Sequence, residues 1–332
     1  MVPVRYAVVG AGPRGASHVR VAAGLREEGL LEELVVCDVD ERRARRLATA
    51  YDLPYRTDVA DLTADAATLA TPTESHRELG TRLLERGVDL LVEAPLAQTA
   101  TAAWELVEVA TDRNRTLAAG HQFRYLPALV DLRRRIEAGE LGSIEYLQTN
   151  HVSVHVPRTT AGVLRSIAVH DVDVFAYLLE PTAIDADVDR DAVVCDERER
   201  STTLALGYGD AAGVVNVSWE APAAGRSRHL VVAGSDGSAY VDYLEDVALE
   251  FSAARDGADD RPIEPDPGTL ETEGAEPLRA ALIDFLHAVE TGREPHVPGR
   301  VGAEAVSTLE RVRTADGSSV DAPLASGVEE RA

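Results

Sequence analysis

Along the first third of the chain, short apolar runs alternate with amphipathic stretches. The apolar runs at residues 4–9, 34–38, 67–70, 89–93 and 116–119 have the length and branched-residue content of buried strands. Between them, residues 13–28, 41–51, 76–86 and 99–113 carry apolar side chains at helical spacing. This repetition predicts an α/β fold, an N-terminal Rossmann domain with a doubly wound parallel sheet.

After about residue 120 the pattern changes. Residues 126–138 read as an amphipathic helix closed by Gly139, residues 143–156 as a long strand and residues 162–179 as a helix. Runs at 202–208, 212–219, 229–233, 238–243 and 247–251 read as strands, joined by turn residues such as Gly209-Asp210 and Ser235-Asp236-Gly237. They predict a C-terminal α+β domain with an open, mainly antiparallel sheet. Residues 255–274 read as an acidic surface loop, 277–290 and 303–314 as helices, and the tail from 318 as frayed. The expected division is 1–119 for the first domain and 120–332 for the second, with the last helices packing back on the first. Trp104 and Trp219 read as core residues.

Composition narrows the partners. The chain has 57 acidic against 33 basic residues, a net charge of −24, and every basic residue is arginine. Such a charge argues against nucleic acid and anionic membranes and points to adaptation to high salt, where self-repulsion is screened. No apolar run approaches the roughly 18 residues that a membrane span needs. The N-terminus enters a strand at once, leaving no room for a signal peptide, and Cys37 and Cys195 are too few for a disulfide framework or a zinc cluster. A cytoplasmic location is expected.

The chemistry begins where the first strand meets Gly10-x-Gly12-x-x-Gly15. Gly10 permits a tight turn, Gly12 lets the backbone approach a diphosphate, and Gly15 lets the next helix pack closely. Pro13 suits the first turn of that helix, and Arg14 lies inside the same loop. Asp38 ends the second strand 23 residues after Gly15, where an acid binds ribose hydroxyls; the plainer alternative is a solvated loop acid. A carboxylate there repels a 2′-phosphate and favours NAD over NADP, although Arg42 and Arg43 are not far away. Thr71, Pro72, Thr73 and His76 follow the strand at 67–70 and can line the same crevice, or Thr73 and Ser75 can simply cap a helix.

These motifs together resemble the family of glucose–fructose oxidoreductases, inositol dehydrogenases and MocA-like proteins. The resemblance extends through Ala70-Thr71-Pro72-Thr73-Glu74-Ser75-His76, Glu93-Ala94-Pro95-Leu96-Ala97, Arg124-Tyr125-Leu126-Pro127 and the segment Gly162 to Asp173, to the helix beginning Pro277-Leu278-Arg279. His155-Val156-Pro157-Arg158 with His170-Asp171-Val172-Asp173 looks most like the nucleotide-sugar dehydrogenases of that family. The resemblance implies an NAD(H)-dependent oxidoreductase acting on a sugar, polyol or nucleotide sugar, cofactor contacts at Glu93, Ala94 and Pro95, and a homodimer or homotetramer formed through the outer face of the second sheet. Two departures fall at the chemistry. The family's Glu-Lys-Pro carries a catalytic lysine and here reads Glu93-Ala94-Pro95. The family's Asp-x-x-x-His here reads Ser166-x-x-x-His170.

Oxidising a carbinol requires a base for the hydroxyl proton. Ala94 cannot serve; His170 can, and Ser166, one turn earlier, can hydrogen-bond it. Tyr125 and His155 are expected helpers. His151 and His155 share one strand face, which either lines a substrate cleft or is simply an exposed polar face. Arg124 or Arg158 is expected to hold an anionic substrate group, or else a surface ion pair. Asp173 is a substrate-side candidate with a structural alternative. His170, Asp171 and Asp173 lack a spaced third ligand, so no metal site is expected. The rival reading is a cofactor- and sugar-binding sensor or partner subunit without turnover.

Overall fold

The computed structural model describes residues 4–152, 162–179, 193–195, 200–220, 227–243, 249–253 and 276–315. The chain divides into two compact units, one formed by residues 1–134 with 271–307 and the other by 135–270 with 308–332.

In the first unit six parallel strands, β1 (Val4–Val9), β2 (Leu31–Cys37), β3 (Tyr55–Arg56), β4 (Ala66–Leu69), β5 (Asp89–Glu93) and β6 (Leu117–Gly120), lie in the order β3-β2-β1-β4-β5-β6. The order reverses beside β1, which makes the crevice above β1 and β4 the natural ligand position. Helices α1 (Pro13–Glu27), α2 (Glu41–Ala50), α3 (His76–Glu85) and α4 (Ala100–Asp112) connect the strands. Alternation along β1 divides the core between the two sheet faces. Tyr6 and Val8 pack with Val19, Ala22 and Leu25 of α1 and with Leu282 and Phe285 of a later helix, α7 (Pro277–Thr291). Ala7 and Val9 pack on the other face with Leu83, Leu84, Leu90 and Leu106.

Strand β2 starts three residues before the apolar run, because Glu32 and Glu33 can face outward from a strand whose partner is β1. Helix α8 (Gly299–Ala315) also starts early. Gly299 and Gly302 bring its first turn so close to β6 that an added Cβ would stand 2.6 Å from Leu117 and 2.8 Å from Ala119. Trp104 is not a core residue: it is 41% exposed, and its indole N–H donates to Ser307 Oγ. Helix α5 (Pro127–Glu137) is followed by Gly139 at φ +77°, the conformation expected of a helix-closing glycine.

Among the described residues the second unit holds seven strands: β7 (Ile144–Val152), β8 (Val193–Cys195), β9 (Ser201–Tyr208), β10 (Ala211–Ser218), β11 (Ser227–Gly234), β12 (Gly237–Asp242) and β13 (Leu249–Ala253). Their order is β13-β12-β11-β7-β10-β9-β8, and every pair is antiparallel except β10 with β7. One face is buried through Leu147, Leu204, Leu206, Val215, Leu230 and Val241. Against this unit's sheet lies α6 (Val169–Leu179). Gly213 makes room for it: a Cβ there would meet the rings of Phe175 and Tyr208 at 2.9 Å. Residues 255–274 and the tail from 318 lie outside the described residues. Among the described residues no helix is long and apolar enough to cross a membrane.

Candidate active site

The glycine turn fits a dinucleotide diphosphate. Gly10 has φ +106°, and a Cβ on it would stand 2.5 Å from the Ala70 carbonyl oxygen. A Cβ on Gly15 would stand 1.7 Å from the Gly10 carbonyl oxygen, so only glycine lets α1 seat on β1. Gly12 differs, because nothing lies within 4 Å of its Cβ position. It begins α1 in an extended conformation with no side chain capping the helix, and Pro13 follows. The first-turn amides of α1, together with the positive end of its dipole, face that open space.

Asp38 is built into this turn. Its Oδ2 accepts from the Ala11 amide at 2.7 Å, and its Oδ1 accepts from the Asp40 amide at 2.8 Å and from Arg43 Nη2 at 2.9 Å. Burial pushes its pKa up, but the three hydrogen bonds and the Arg43 charge outweigh burial and hold it below the ordinary carboxylate value. Arg43, five residues on, is therefore a direct partner of Asp38. Val39 beside it is 86% exposed.

On the other side of β1, His76 joins two loops. Its Nε2 lies 2.9 Å from the Thr71 carbonyl and its Nδ1 3.0 Å from the Pro95 carbonyl. Burial lowers its pKa, against the pull of those carbonyls and of Glu93. Neither Thr73 nor Ser75 caps α3; Ser75 Oγ instead lies 2.8 Å from both Thr71 Oγ1 and the Pro72 carbonyl. The Ala94–Pro95 peptide is cis.

Glu93 ends a buried polar chain that the motifs did not reveal. His18 Nε2 lies 2.6 Å from Glu93 Oε1, Thr68 Oγ1 is 3.3 Å from His18 Nδ1, and Tyr6 Oη is 2.6 Å from Thr68 Oγ1. Burial raises the Glu93 pKa, but the His18 hydrogen bond and the nearby charges of His18, Arg14 and His76 outweigh it and hold the carboxyl below its ordinary value. Arg14, His18, Glu93 and Gln122 line a cavity of about 280 Å³. The only sequence signal for His18 was its place three residues past Gly15, on the buried face of α1.

Arg124 and Tyr125 line a different and larger cavity of about 890 Å³, with Ile283, Asp284, Arg293 and His296. The Tyr125 hydroxyl donates to Asp284 Oδ2 at 2.8 Å, and its ring meets His296 edge-on at 5.3 Å. Burial and the Asp284 charge push the Tyr125 pKa up. Arg124 is buried at 4% exposure. In the second unit, Leu164–Ala168 forms a π-helical turn leading into α6. Such turns recur at functional sites. Ser166 is half-buried on it, whereas His170, Asp171 and Asp173 are buried on α6. His151 lies half-buried on β7; His155 and Arg158 fall outside the described residues. Among the described residues no group of His, Cys, Asp and Glu could hold a metal ion.

The strand order, the glycine cradle and the acid that follows β2 define a dinucleotide-binding Rossmann protein. The model of the oxidoreductase family with NAD-binding Rossmann fold, GFO/IDH/MocA, matches residues 4–121, and the model of its C-terminal domain matches residues 129–240. The chain belongs to this Gfo/Idh/MocA oxidoreductase family. It is 34% identical over 200 residues to inositol 2-dehydrogenase 1 of Saccharopolyspora erythraea, covering 56% of this chain and 58% of that protein. It is 25% identical over 321 residues to UDP-N-acetylglucosamine 3-dehydrogenase of Acidithiobacillus ferrooxidans, covering 95% and 98%. Levoglucosan dehydrogenase in complex with NADH and levoglucosan shares the fold, with a TM-score of 0.82 at 18% identity over 95% of this chain and 97% of that one.

Proposed function

We propose that this protein is an NAD(H)-dependent dehydrogenase that moves a hydride between a carbinol carbon of a sugar, polyol or nucleotide sugar and the nicotinamide, with His170 as acid and base. The observation that carries the reading is the glycine cradle: two positions that only glycine can fill, an uncapped helix N-terminus, and Asp38 bonded to the same turn. Gly12, Pro13 and Arg14 would hold the diphosphate, Asp38 the adenosine ribose, and Thr71, Pro72, Thr73, His76, Glu93, Ala94 and Pro95 the nicotinamide half. Val39 offers an apolar face to the adenine. NAD is favoured over NADP because Asp38 is ionised and its Arg43 partner is engaged.

When bound, the nicotinamide accepts or returns the hydride. His170 takes the hydroxyl proton as the hydride leaves, and returns it in the reverse direction; a positioned base contributes roughly 10² to 10⁴ in rate. Ser166 and Asp173 would contact the substrate. Tyr125 would help as an acceptor of a substrate hydroxyl rather than as a base, since its single proton is committed to Asp284. Arg124 supports the cavity wall, and His155 and Arg158 are substrate-facing candidates.

The same reading makes the protein a cytoplasmic homodimer or homotetramer. Tyr146, Gln148, Val214, Val231 and Tyr240 lie half-buried on the outer face of the second sheet and would form the interface. The charge of −24 supports an origin in a salty cytoplasm. A second reading, a sensor or partner subunit that binds without turnover, is favoured by Ala94 and Ser166 standing where the family has lysine and aspartate.

Calorimetry with NAD and NADP in molar KCl, followed by a screen of sugars, polyols and nucleotide sugars at the reduced-nicotinamide absorbance band, decides between them. Turnover that is lost in His170→Ala supports the enzyme; tight NAD binding with no turnover on any class supports the sensor. Light scattering in the same buffer gives the oligomer. Thermal stability should rise steeply with KCl, and equal stability in low salt would remove the high-salt reading.

A further inference from the structure

We propose that Glu93 determines which oxidation state of the cofactor this protein prefers: a buried carboxylate at the end of β5, with alanine rather than a cation next to it, favours the positively charged oxidised nicotinamide over the neutral reduced ring. The inference rests on the dinucleotide site proposed above.

The placement comes from topology. Asp38 follows β2 on one side of β1, and Glu93 ends β5 on the other. A dinucleotide whose adenosine ribose meets Asp38 and whose diphosphate meets the Gly10–Gly15 turn extends its nicotinamide toward β4 and β5. Glu93 lines the cavity that also holds Arg14 of that turn and Gln122 beyond β6. It is 7% exposed, so water screens it poorly.

The charge is fixed on Glu93 by its neighbours. Tyr6 can donate to Thr68, Thr68 to His18 Nδ1, and His18 Nε2–H to Glu93, so each member gives one proton onward and the carboxylate is the terminal acceptor. This arrangement gives every member a partner, with the Glu93 carboxylate as the terminal acceptor. The groups that face Glu93 electrostatically are His18 and Arg14 of the α1 segment and His76 of α3. Arg14 is the one permanent cation among them, and it is shared with the diphosphate position. A lysine at position 94 would add a second positive charge at this end of the crevice; Ala94 adds none.

Hydride addition carries two electrons and one hydrogen to the ring and discharges it from +1 to neutral. A fixed negative charge therefore stabilises the ring before the addition and not after it. At an effective dielectric near 20, two unit charges about 10 Å apart interact by roughly the free energy of a tenfold affinity ratio, which sets the size of effect expected here. The bound couple becomes correspondingly more reducing, and the reduced cofactor is held less tightly than the oxidised one.

The test measures Kd for NAD by calorimetry and for NADH by fluorescence, in molar KCl, on the full chain and on Glu93→Gln and Ala94→Lys. In Glu93→Gln the preference for NAD over NADH should fall by about tenfold, mostly through weaker NAD binding. Ala94→Lys should move the ratio the same way while leaving the His18 contact untouched, and it decides the matter if Glu93→Gln melts early. Wild-type ratios in both folded variants overturn the inference while leaving the dinucleotide site standing. A wild-type chain that binds neither nucleotide overturns the proposed site, and this inference with it.

Discussion

The crevice around Gly10–Gly15 and position 171 of the helix that carries His170 treat a buried carboxyl in opposite ways. In the crevice, Asp38, His76, His18 and Glu93 are buried, and each has close hydrogen-bond partners. On α6, Asp171 is 3% exposed, and its Oδ2 finds no hydrogen-bond partner among the described residues. Burial raises its pKa to about 7 against the pull of Arg228. The crevice is specified by backbone: glycine positions, amides and carbonyls that few substitutions leave intact. The helix is specified by buried side chains, Asp171 among them. Ala94, in the crevice, and Ser166, on the turn before α6, both depart from the family pattern at side chains and not at the glycine positions that set the backbone. A fold that holds a cofactor can survive the loss of residues that use it.

The largest test of this contrast is His170→Ala. Turnover on whichever substrate class is found should fall by about 10² to 10⁴, with the NADH Kd within twofold of wild type. Steady-state rates beside a fluorescence titration check both. A variant that keeps its rate would move the acid–base role off α6. Next in size is Gly15→Ala. Its Cβ would stand 1.7 Å from the Gly10 carbonyl oxygen, so neither backbone can stay in place. Denaturant unfolding should report a loss of about 3 kcal/mol or more, with cofactor binding abolished.

Asp171→Asn probes the helix side of the contrast through pH. The Asp171 carboxyl titrates near 7 when folded and near the ordinary value, about 4, when unfolded. Its contribution to stability is thus fully present below about pH 4 and is lost as pH rises toward 7, because only the unfolded chain gives up the proton over that range. Arg228 faces it, and Tyr243, with Arg228 over its ring, feels its charge. The asparagine variant should lack this loss, and the two pH–stability curves should diverge by up to about 4 kcal/mol at pH 8. Parallel curves would mean that Asp171 is paired and ionised in the folded protein.

Much of the fold was legible before the structure because apolar periodicity is local. The run at 89–93 became β5 with the same ends, and the helix read at 277–290 became α7 with one further residue. Glycine positions carried the crevice, since the strain they relieve is local too. What was not legible depends on distant residues. Nothing near Trp104 in sequence indicates that Ser307 holds its indole at the surface. His18 gained its meaning only from Glu93, 75 residues away, and Tyr125 from Asp284, 159 residues away. Arg43 was noticed by proximity, but its bond to Asp38 required α2 to turn it back toward β2. The second sheet was expected from alternation and turns. The parallel pairing of β10 with β7 was not, because register between distant strands leaves no local trace.

The smallest and most discriminating test is Gly12→Ala. Unlike Gly10 and Gly15, this position has φ −76° and no atom within 4 Å of an added methyl, so the free protein should accept alanine with a melting temperature near wild type. A methyl at that point nevertheless occupies the space in front of the α1 amides. If the diphosphate sits there, alanine should weaken both NAD and NADH by about tenfold and leave their ratio unchanged. The result separates the two roles that glycine plays in one motif: Gly15 is required by the protein's own packing, whereas Gly12 is required only by a ligand. Unchanged affinities in Gly12→Ala would mean that the turn is built for the fold alone.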